Sequence, residues 1–306
     1  MKAFVGVTDS AWYEILKNKD FDEVNFWKPG GNTNFKALNP GDLFLFKLHY
    51  PDNFIVGGGF FVRFSMLPSF LAWDAFAEQN GALSLDDLNK RILKYRRLDA
   101  SQDTLNIGCI IITEPFFLAR EEWIPAPEDW RSNIVQGRSY SDADEIGRNL
   151  FKRVEMTLEM RSAHVHDLPR SSNEYSLLLT KHRLGQGGFR ISVMDAYKRR
   201  CAVTGEKTLP VLEAAHILPF SKGGPQSISN GVLLRSDIHQ LYDTGYVTIT
   251  PEYKFEVSQR LHSDFGNGKI YYSLHGKTLL SIPDKFTERP TKEYLSWHND
   301  NVYFDK

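Results

Sequence analysis

Cysteine is nearly absent from this chain, which has two, Cys109 and Cys201, in 306 residues. Two isolated thiols exclude a disulfide framework and a four-cysteine zinc site, and they suit a reducing interior. In Cys201-Ala202-Val203-Thr204 the second half of a CxxC pair is a threonine, so Cys201 is expected as a small buried hydrophobe. Long hydrophobic runs are also missing. Without about eighteen consecutive apolar residues there is no candidate membrane span, and no charged-then-apolar leader opens the sequence, so a cytoplasmic protein without a membrane partner is expected. A strong charge of one sign is lacking too: the net charge is -1, which excludes a uniformly basic nucleic-acid binder. There is no internal repeat and no low-complexity tract.

What is present fits an ordinary globular protein, 42% hydrophobic and 25% charged, long enough for two domains with separate cores. The charge is uneven. Between Lys181 and Asp243 nine cations face five acids, a local excess suited to a phosphate backbone, with Arg235 and Lys222 as candidate DNA-backbone contacts.

The most informative stretch is Leu212 to Gly245, LEAAHILPFSKGGPQSISNGVLLRSDIHQLYDTG. Leu212 to Ile217, between Pro210 and Pro219, reads as a short strand presenting His216 near its end. Ser221 to Asn230 is a loop of turn-forming residues. Val232 to Leu234 begins a second strand. Ser236 suits a helix N-cap, Asp237 suits the positive end of the dipole, and Gly245 suits a helix end. On that helix His239 and Asp243 stand four residues apart and share a face, where an imidazole and a carboxylate can hold a divalent cation. A lone histidine on an apolar strand is ordinarily a core residue; here spacing, loop chemistry and helix ends agree on a site.

This strand, loop, strand and helix resemble the ββα-metal core of the HNH endonucleases, with His216, Asn230 and His239 at the family's three named positions. The upstream words RLGQGGFRISVMDAYKRRCAVTG and the tail ERPTKEYLSWHNDNVYF are similar to one branch of that family, so the resemblance runs from about Arg183 to Phe304. It implies that His216 is a general base activating water, that His239 and Asp243 hold a divalent ion (magnesium, manganese, cobalt or nickel), and that Asn230 pins the loop and orients His216 or joins the metal shell. One departure is Ala215, where many relatives carry an acidic or histidine ligand just before the base. Glu213, two residues back on the same strand face, is the candidate to complete the ligand set, directly or through water. The zinc-ribbon cysteines of many relatives are missing as well.

The N-terminal half alternates short strands and helices. Strands are expected at Lys2 to Val7, Leu43 to Leu48, Phe54 to Phe64 and Leu105 to Thr113, a helix from Ser10, and helical structure from Met66 to Arg97. Gly57, Gly58 and Gly59 inside a strand suggest a bulge or a close approach of another chain. The words FKALNPGDLFLFKL and IVGGGFF resemble the PUA-like group, including EVE and YTH domains. That resemblance implies an aromatic pocket for a modified base, with Trp27 beside the Gly30 to Asn34 loop, Asn32 or Asn34 for hydrogen bonds, and Trp12 or Trp73 as walls. Each tryptophan alone would otherwise be read as core.

The expected organisation is α+β: a PUA-like mixed β-barrel over residues 1–130, a helical linker over 131–180 and an HNH nuclease domain over 181–306. Within the linker, Ser141 to Met160 carries Ile146, Leu150, Val154 and Leu158 at helical spacing, and Arg161 to Asn173 reads as a hinge. Downstream, a hairpin around Pro251, a strand at Ile270 and Tyr272, and a helix over Thr291 to Trp297 are expected, with His262, His275 and His298 structural. By resemblance such a chain is a type IV-like, modification-dependent restriction endonuclease of bacterial defence, acting on double-stranded DNA carrying methylated or hydroxymethylated cytosine, with a homodimer or two successive nicks for double-strand cutting. The alternatives are a nuclease for unmodified, phosphorothioate or structured DNA, and a catalytically dead DNA-binding module.

Overall fold

The computed structural model describes residues 1–30, 34–96, 105–165 and 185–304. It divides into two compact units, Met1–Leu184 and Gly185–Lys306. Among the described residues no helix is long and apolar enough to cross a membrane.

The first unit is built on a mixed sheet. Its elements are β1 (Lys2–Thr8), α1 (Ser10–Leu16), β2 (Glu23–Lys28), β3 (Leu43–Leu48), β4 (Phe54–Pro68), α2 (Ser69–Phe76), α3 (Leu85–Arg96), β5 (Asn106–Phe117), β6 (Ile124–Pro125), β7 (Gly137–Ser141) and α4 (Glu145–Val165). The strands run in the order β2-β5-β4-β3-β1-β7, with β6 added to β4. Among the described residues only the β1–β3 pair is parallel. The expected barrel is not closed: among the described residues β2 and β7 end the sheet without pairing to each other. β2 is tied instead to the turn after α2, where Asn25 Nδ2 donates to Asn80 Oδ1 at 2.8 Å and Trp27 Nε1 donates to the Asn80 carbonyl at 2.9 Å.

Aromatic packing holds this sheet. Trp12, Phe26, Phe44 and Phe46 form one buried cluster, each worth about 1.5–3 kcal/mol of burial. The three glycines of β4 sit at the expected bulge, and the backbone that comes close to them is the neighbouring strand β5 rather than another chain. The ladder with β5 shifts register between Gly58 and Phe60, and a Cβ at Gly57 would stand 2.2 Å from the Phe116 carbonyl oxygen.

Three local expectations change. The stretch from Met66 is not helical from its start, because Ser65 and Leu67 stay buried in β4 as far as Pro68. α2 then ends where Asn80 Nδ2 donates to the carbonyls of Ala72 and Ala77, separating it from α3. β2, which carries Trp27, was not foreseen as a strand. The first unit also continues past residue 130: β7 pairs with β1, and the stripe of α4 packs into a second core through Leu150 and Val154, with Ile146 and Leu158 partly buried. α4 starts at Glu145 rather than Ser141, which belongs to β7; Asp144 accepts from the Gly147 amide at 2.7 Å. The hinge expected from Arg161 begins inside α4, and from residue 166 it lies outside the described residues, as do Asn32 and the Lys181–Arg183 end of the basic stretch.

The second unit contains α5 (Gln186–Ala196), β8 (Leu212–His216), β9 (Gly231–Arg235), α6 (Ser236–Asp243), the hairpin β10 (Val247–Ile249) and β11 (Phe255–Val257), α7 (Arg260–Phe265), α8 (Lys269–Tyr272) and α9 (Lys292–Asn301). β8 and β9 pair antiparallel, with His216 opposite Gly231. Cys201 is buried, and its sulfur accepts from the amides of Thr204 and Arg235. Ile270 and Tyr272 lie in α8 and not in a strand: Ile270 is exposed, and Tyr272 Oη reaches back to the Ser258 carbonyl at 2.8 Å. The expected terminal helix is present as α9, one residue later at its start and longer at its end than Thr291 to Trp297, with the Thr291 hydroxyl accepting from the Tyr294 amide as its cap.

Candidate active site

The loop between β8 and β9 is pinned at its base. Asn230 is fully buried; its Oδ1 accepts from the Leu218 amide at 2.9 Å, and its Nδ2 donates to the carbonyls of Leu218 (2.9 Å) and Pro225 (3.0 Å). Three of the four hydrogen-bonding sites of that side chain, both donors and one lone pair of Oδ1, are spent on the loop. Of the two roles expected of Asn230, its contacts are those of the loop pin.

α6 starts at Ser236, one residue earlier than a cap at that position would place it. Arg235 is the cap residue, and its guanidinium forks onto Asp237, Nε to Oδ1 at 2.6 Å and Nη2 to Oδ2 at 2.7 Å. Tyr271 donates to the same carboxylate, and the hydrogen bonds from Arg235 first and Tyr271 second hold Asp237 below the usual carboxylate range against burial, which would raise it. Of the two expected DNA contacts, Arg235 thus commits two donors inside the unit, while Lys222 is exposed on a single helical turn, Phe220–Lys222.

One face of α6 carries the expected pair, with His239 Nε2 3.2 Å from Asp243 Oδ2. Glu213 reaches the same imidazole from β8, its Oε2 2.6 Å from Nδ1. Burial pushes His239 down, but hydrogen bonds to Asp243 and Glu213 outweigh it and raise the imidazole above its ordinary value. These three side chains, with Ser236, Asp237 and Gln240, line an open pocket. Among the described residues no three histidine, cysteine or acidic side chains already surround one point, because the two carboxylates sit on opposite nitrogens of one ring. The donor set fits a cation taken by Nε2 and the Asp243 carboxylate, where the structure now has a nitrogen and an oxygen facing each other. Ala215 is fully buried and offers nothing to the pocket.

His216 lies at the end of β8. Its Nε2 is 3.2 Å from Gln226 Oε1, and its ring stacks on Phe189 of α5 at 3.9 Å between centroids and 11° between planes. Burial lowers its pKa, partly opposed by Gln226 and by the field of Asp243, while the His239 charge adds to the lowering. His216 is not among the residues that line the open pocket at the His239–Asp243 pair. Gln226 and Phe189 were missed as site residues because neither type announces chemistry. The available signal was Gly231 opposite His216: a Cβ there would lie 2.4 Å from Val193 Cγ2 and 3.0 Å from Phe189 Cζ.

In the first unit, Trp27 and Trp12 both line a cavity of about 170 Å³ that also takes in Asp9, His49, Tyr95 and Gln136. That is below the roughly 300–1,000 Å³ of drug-sized pockets, room for a single ring system. Trp27 meets Tyr95 edge-on at 6.0 Å. Tyr95 Oη donates to Asp9 Oδ2 at 2.6 Å, and burial followed by Asp9 keeps that hydroxyl protonated. Trp73 is not among the lining residues, and Asn32 lies outside the described residues. Tyr95 and Asp9 were not foreseen, since they come from α3 and the start of α1.

Residues 201–250 match the family model described as HNH endonuclease. No curated protein matches the chain. Among solved structures, a modification-dependent TagI restriction endonuclease aligns at 12% identity over 97% of this chain and 81% of the other, with a TM-score of 0.28. The type IV phosphorothioation-dependent restriction endonuclease ScoMcrA aligns at 13% identity over 78% of this chain, with a TM-score of 0.18; this chain spans 49% of its length. Neither alignment, at such scores, adds to the site. The second unit carries, over residues 201–250, a segment of the HNH endonuclease family.

Proposed function

We propose that this chain is a divalent-metal-dependent DNA endonuclease, and that its first unit restricts cutting to DNA bearing a modified cytosine. The observation that carries the nuclease reading is the cluster of Glu213 from β8 with the His239–Asp243 pair of α6, inside the segment matched to the HNH family and with His216 at the end of the same β8.

His239 Nε2 and Asp243 would hold the ion. When bound, a divalent cation supplies a Lewis acid that offsets charge on the phosphate and on the leaving 3′ oxygen. Glu213 acts on this site through His239, fixing Nδ1 as a hydrogen-bonded donor so that Nε2 points outward, the carboxylate–histidine–metal arrangement. His216, depressed in pKa and neutral at physiological pH, accepts the proton of the attacking water. Lys222 on its exposed turn meets the DNA backbone.

The modification reading rests on the first unit's cavity. An expelled base stacks on Trp27, with Trp12 and Tyr95 as further walls and polar groups at the rim. One site cuts one strand, so a double-strand break needs two copies of the chain or two successive nicks. The test uses matched plasmids with and without methylated or hydroxymethylated cytosine, incubated with magnesium, manganese, cobalt or nickel. Equal cutting of both removes the modification reading, as does exclusive cutting of phosphorothioate or structured DNA. A second reading, a DNA-binding module without activity, is favoured by Ala215; it wins if the wild type is inert with every metal and DNA.

A further inference from the structure

The His216 ring is held on two sides. On one edge the nitrogen Nε2 faces the side-chain oxygen of Gln226 at 3.2 Å; on one face lies Phe189, nearly parallel at 3.9 Å. An amide oxygen only accepts, so the ring nitrogen turned toward it is the one that carries hydrogen. In a neutral imidazole the lone pair then belongs to the other nitrogen, Nδ1.

Gln226 is itself built into place. The residue before it is gripped by Asn230 Nδ2 through the Pro225 carbonyl at 3.0 Å, and the residue after it by the Asn230 amide through the Ser227 carbonyl at 2.9 Å. Phe189 reaches the ring because Gly231, the ladder partner of His216, has no side chain to block it. One buried asparagine and one glycine thus set the edge and the face of the same ring.

We infer that Gln226 and Phe189 are positioning residues that hold His216 as the Nε2–H tautomer in a fixed plane, leaving Nδ1 to take the proton from the attacking water. The water part of this inference rests on the nuclease reading; the tautomer part does not. In the step itself the water oxygen bonds to phosphorus as its proton passes to Nδ1, and the phosphorus bond to the 3′ oxygen breaks. The leaving oxygen takes a proton from solvent water. The resulting imidazolium keeps its Nε2–H on Gln226, where the bond becomes charge-assisted and stronger. The clamp therefore stabilises the charged ring as well as aiming the neutral one.

The experiment is nitrogen NMR on the full chain labelled with ¹⁵N-histidine, without metal, with His216 assigned by comparison with His216→Ala. A bare Nδ1 and a protonated Nε2 are expected near neutral pH. Gln226→Leu should mix the tautomers and lower kcat on the order of 10²-fold with KM unchanged, the cost of a misaimed base. Gln226→Glu should restore most of kcat and move the acidic limb of the pH–rate profile upward, which a merely structural role would not do; it also serves if the leucine variant does not fold. Phe189→Leu should lower kcat by less. The inference is overturned if wild-type His216 carries its proton on Nδ1, or if Gln226→Leu changes neither tautomer nor kcat. Should the wild type cut no DNA, the nuclease reading fails while the NMR result still decides the clamp.

Discussion

Two histidines of the second unit have nearly the same surroundings and opposite fates. His216 stacks on Phe189 at 3.9 Å and 11°; His298 of α9 stacks on Tyr242 at 3.7 Å and 12°. Burial lowers the pKa of both. The difference is in the nitrogens. His298 donates from Nε2 to the Tyr242 carbonyl at 3.1 Å and accepts at Nδ1 from the Thr248 hydroxyl at 2.8 Å, and the residue is 2% exposed. His216 spends one nitrogen on Gln226. Stacking and a depressed pKa therefore do not set the proposed general base apart from His298; among the described residues, the nitrogen of His216 that Gln226 does not occupy does.

The largest effect that would break this comparison is at His216. His216→Ala should abolish DNA cleavage, a loss of roughly 10²–10⁴-fold for a general base, while DNA binding measured by electrophoretic shift and the unfolding of the second unit stay near wild type. Cleavage retained within tenfold would make His216 no different in kind from His298.

His298 should do the reverse, acting on stability through pH. Its folded pKa is pulled down to about 4, first by burial, against 6.5 when free. The unfolded chain then binds the proton first, so the contribution to stability is complete above pH 6.5 and falls away as pH drops toward 4. At about 1.4 kcal/mol per unit this amounts to about 3 kcal/mol. Hydrogen exchange at the β10 amides between pH 7 and 4 measures it. In His298→Phe the ring stack survives but Thr248 and the Tyr242 carbonyl lose their partner, which should cost about 1–3 kcal/mol at pH 7 and remove this acid dependence. An unchanged acid slope in that variant would show that another group carries it.

Glu213 sharpens the same distinction one step further out, on His239. With Glu213→Gln the imidazole keeps a neutral hydrogen-bond partner and loses the carboxylate, so affinity for manganese, followed by paramagnetic resonance, should fall by roughly 10–100-fold. Asp243→Asn should weaken it more, because that side chain would contact the ion. The opposite order would move Glu213 into direct ligation.

How much of this the sequence shows depends on how locally each part is encoded. His216, Asn230, His239 and Asp243 fall within one short segment whose strand, loop and helix each have their own signals, so the elements that carry them were readable, and Glu213 does reach His239 from the strand. Gln226 and Phe189 were not, because amide and phenyl side chains acquire a role only through the ring they meet. In the first unit, the sheet is assembled from strands far apart in sequence. Strand positions could be read from alternation, but neither the open edge nor the continuation of β4 through Met66 could be. β2 was hidden by the glycine-rich loop after it, and a short alternating apolar pattern at Ile270 misled because exposure, not pairing, decides that segment.

The smallest expected effect lies in the first unit and asks the same question of two tryptophans. Trp27 spends its indole N–H on Asn80 and meets Tyr95 edge-on, so what it can offer an expelled base is the rest of its ring surface on the 170 Å³ cavity. Trp73 is partly buried on α2 and lines no part of that cavity. Stacking on an aromatic contributes about 1–3 kcal/mol per base. Trp27→Leu keeps apolar bulk and the Tyr95 wall, so the loss should fall near the low end, about tenfold in affinity for modified over unmodified DNA. Trp73→Leu should leave that ratio unchanged. Titrating both variants against matched modified and unmodified duplexes measures the difference. If the two leucine variants behave alike, Trp27 is a packing residue that happens to border a cavity, and the recognition role passes to another part of the first unit.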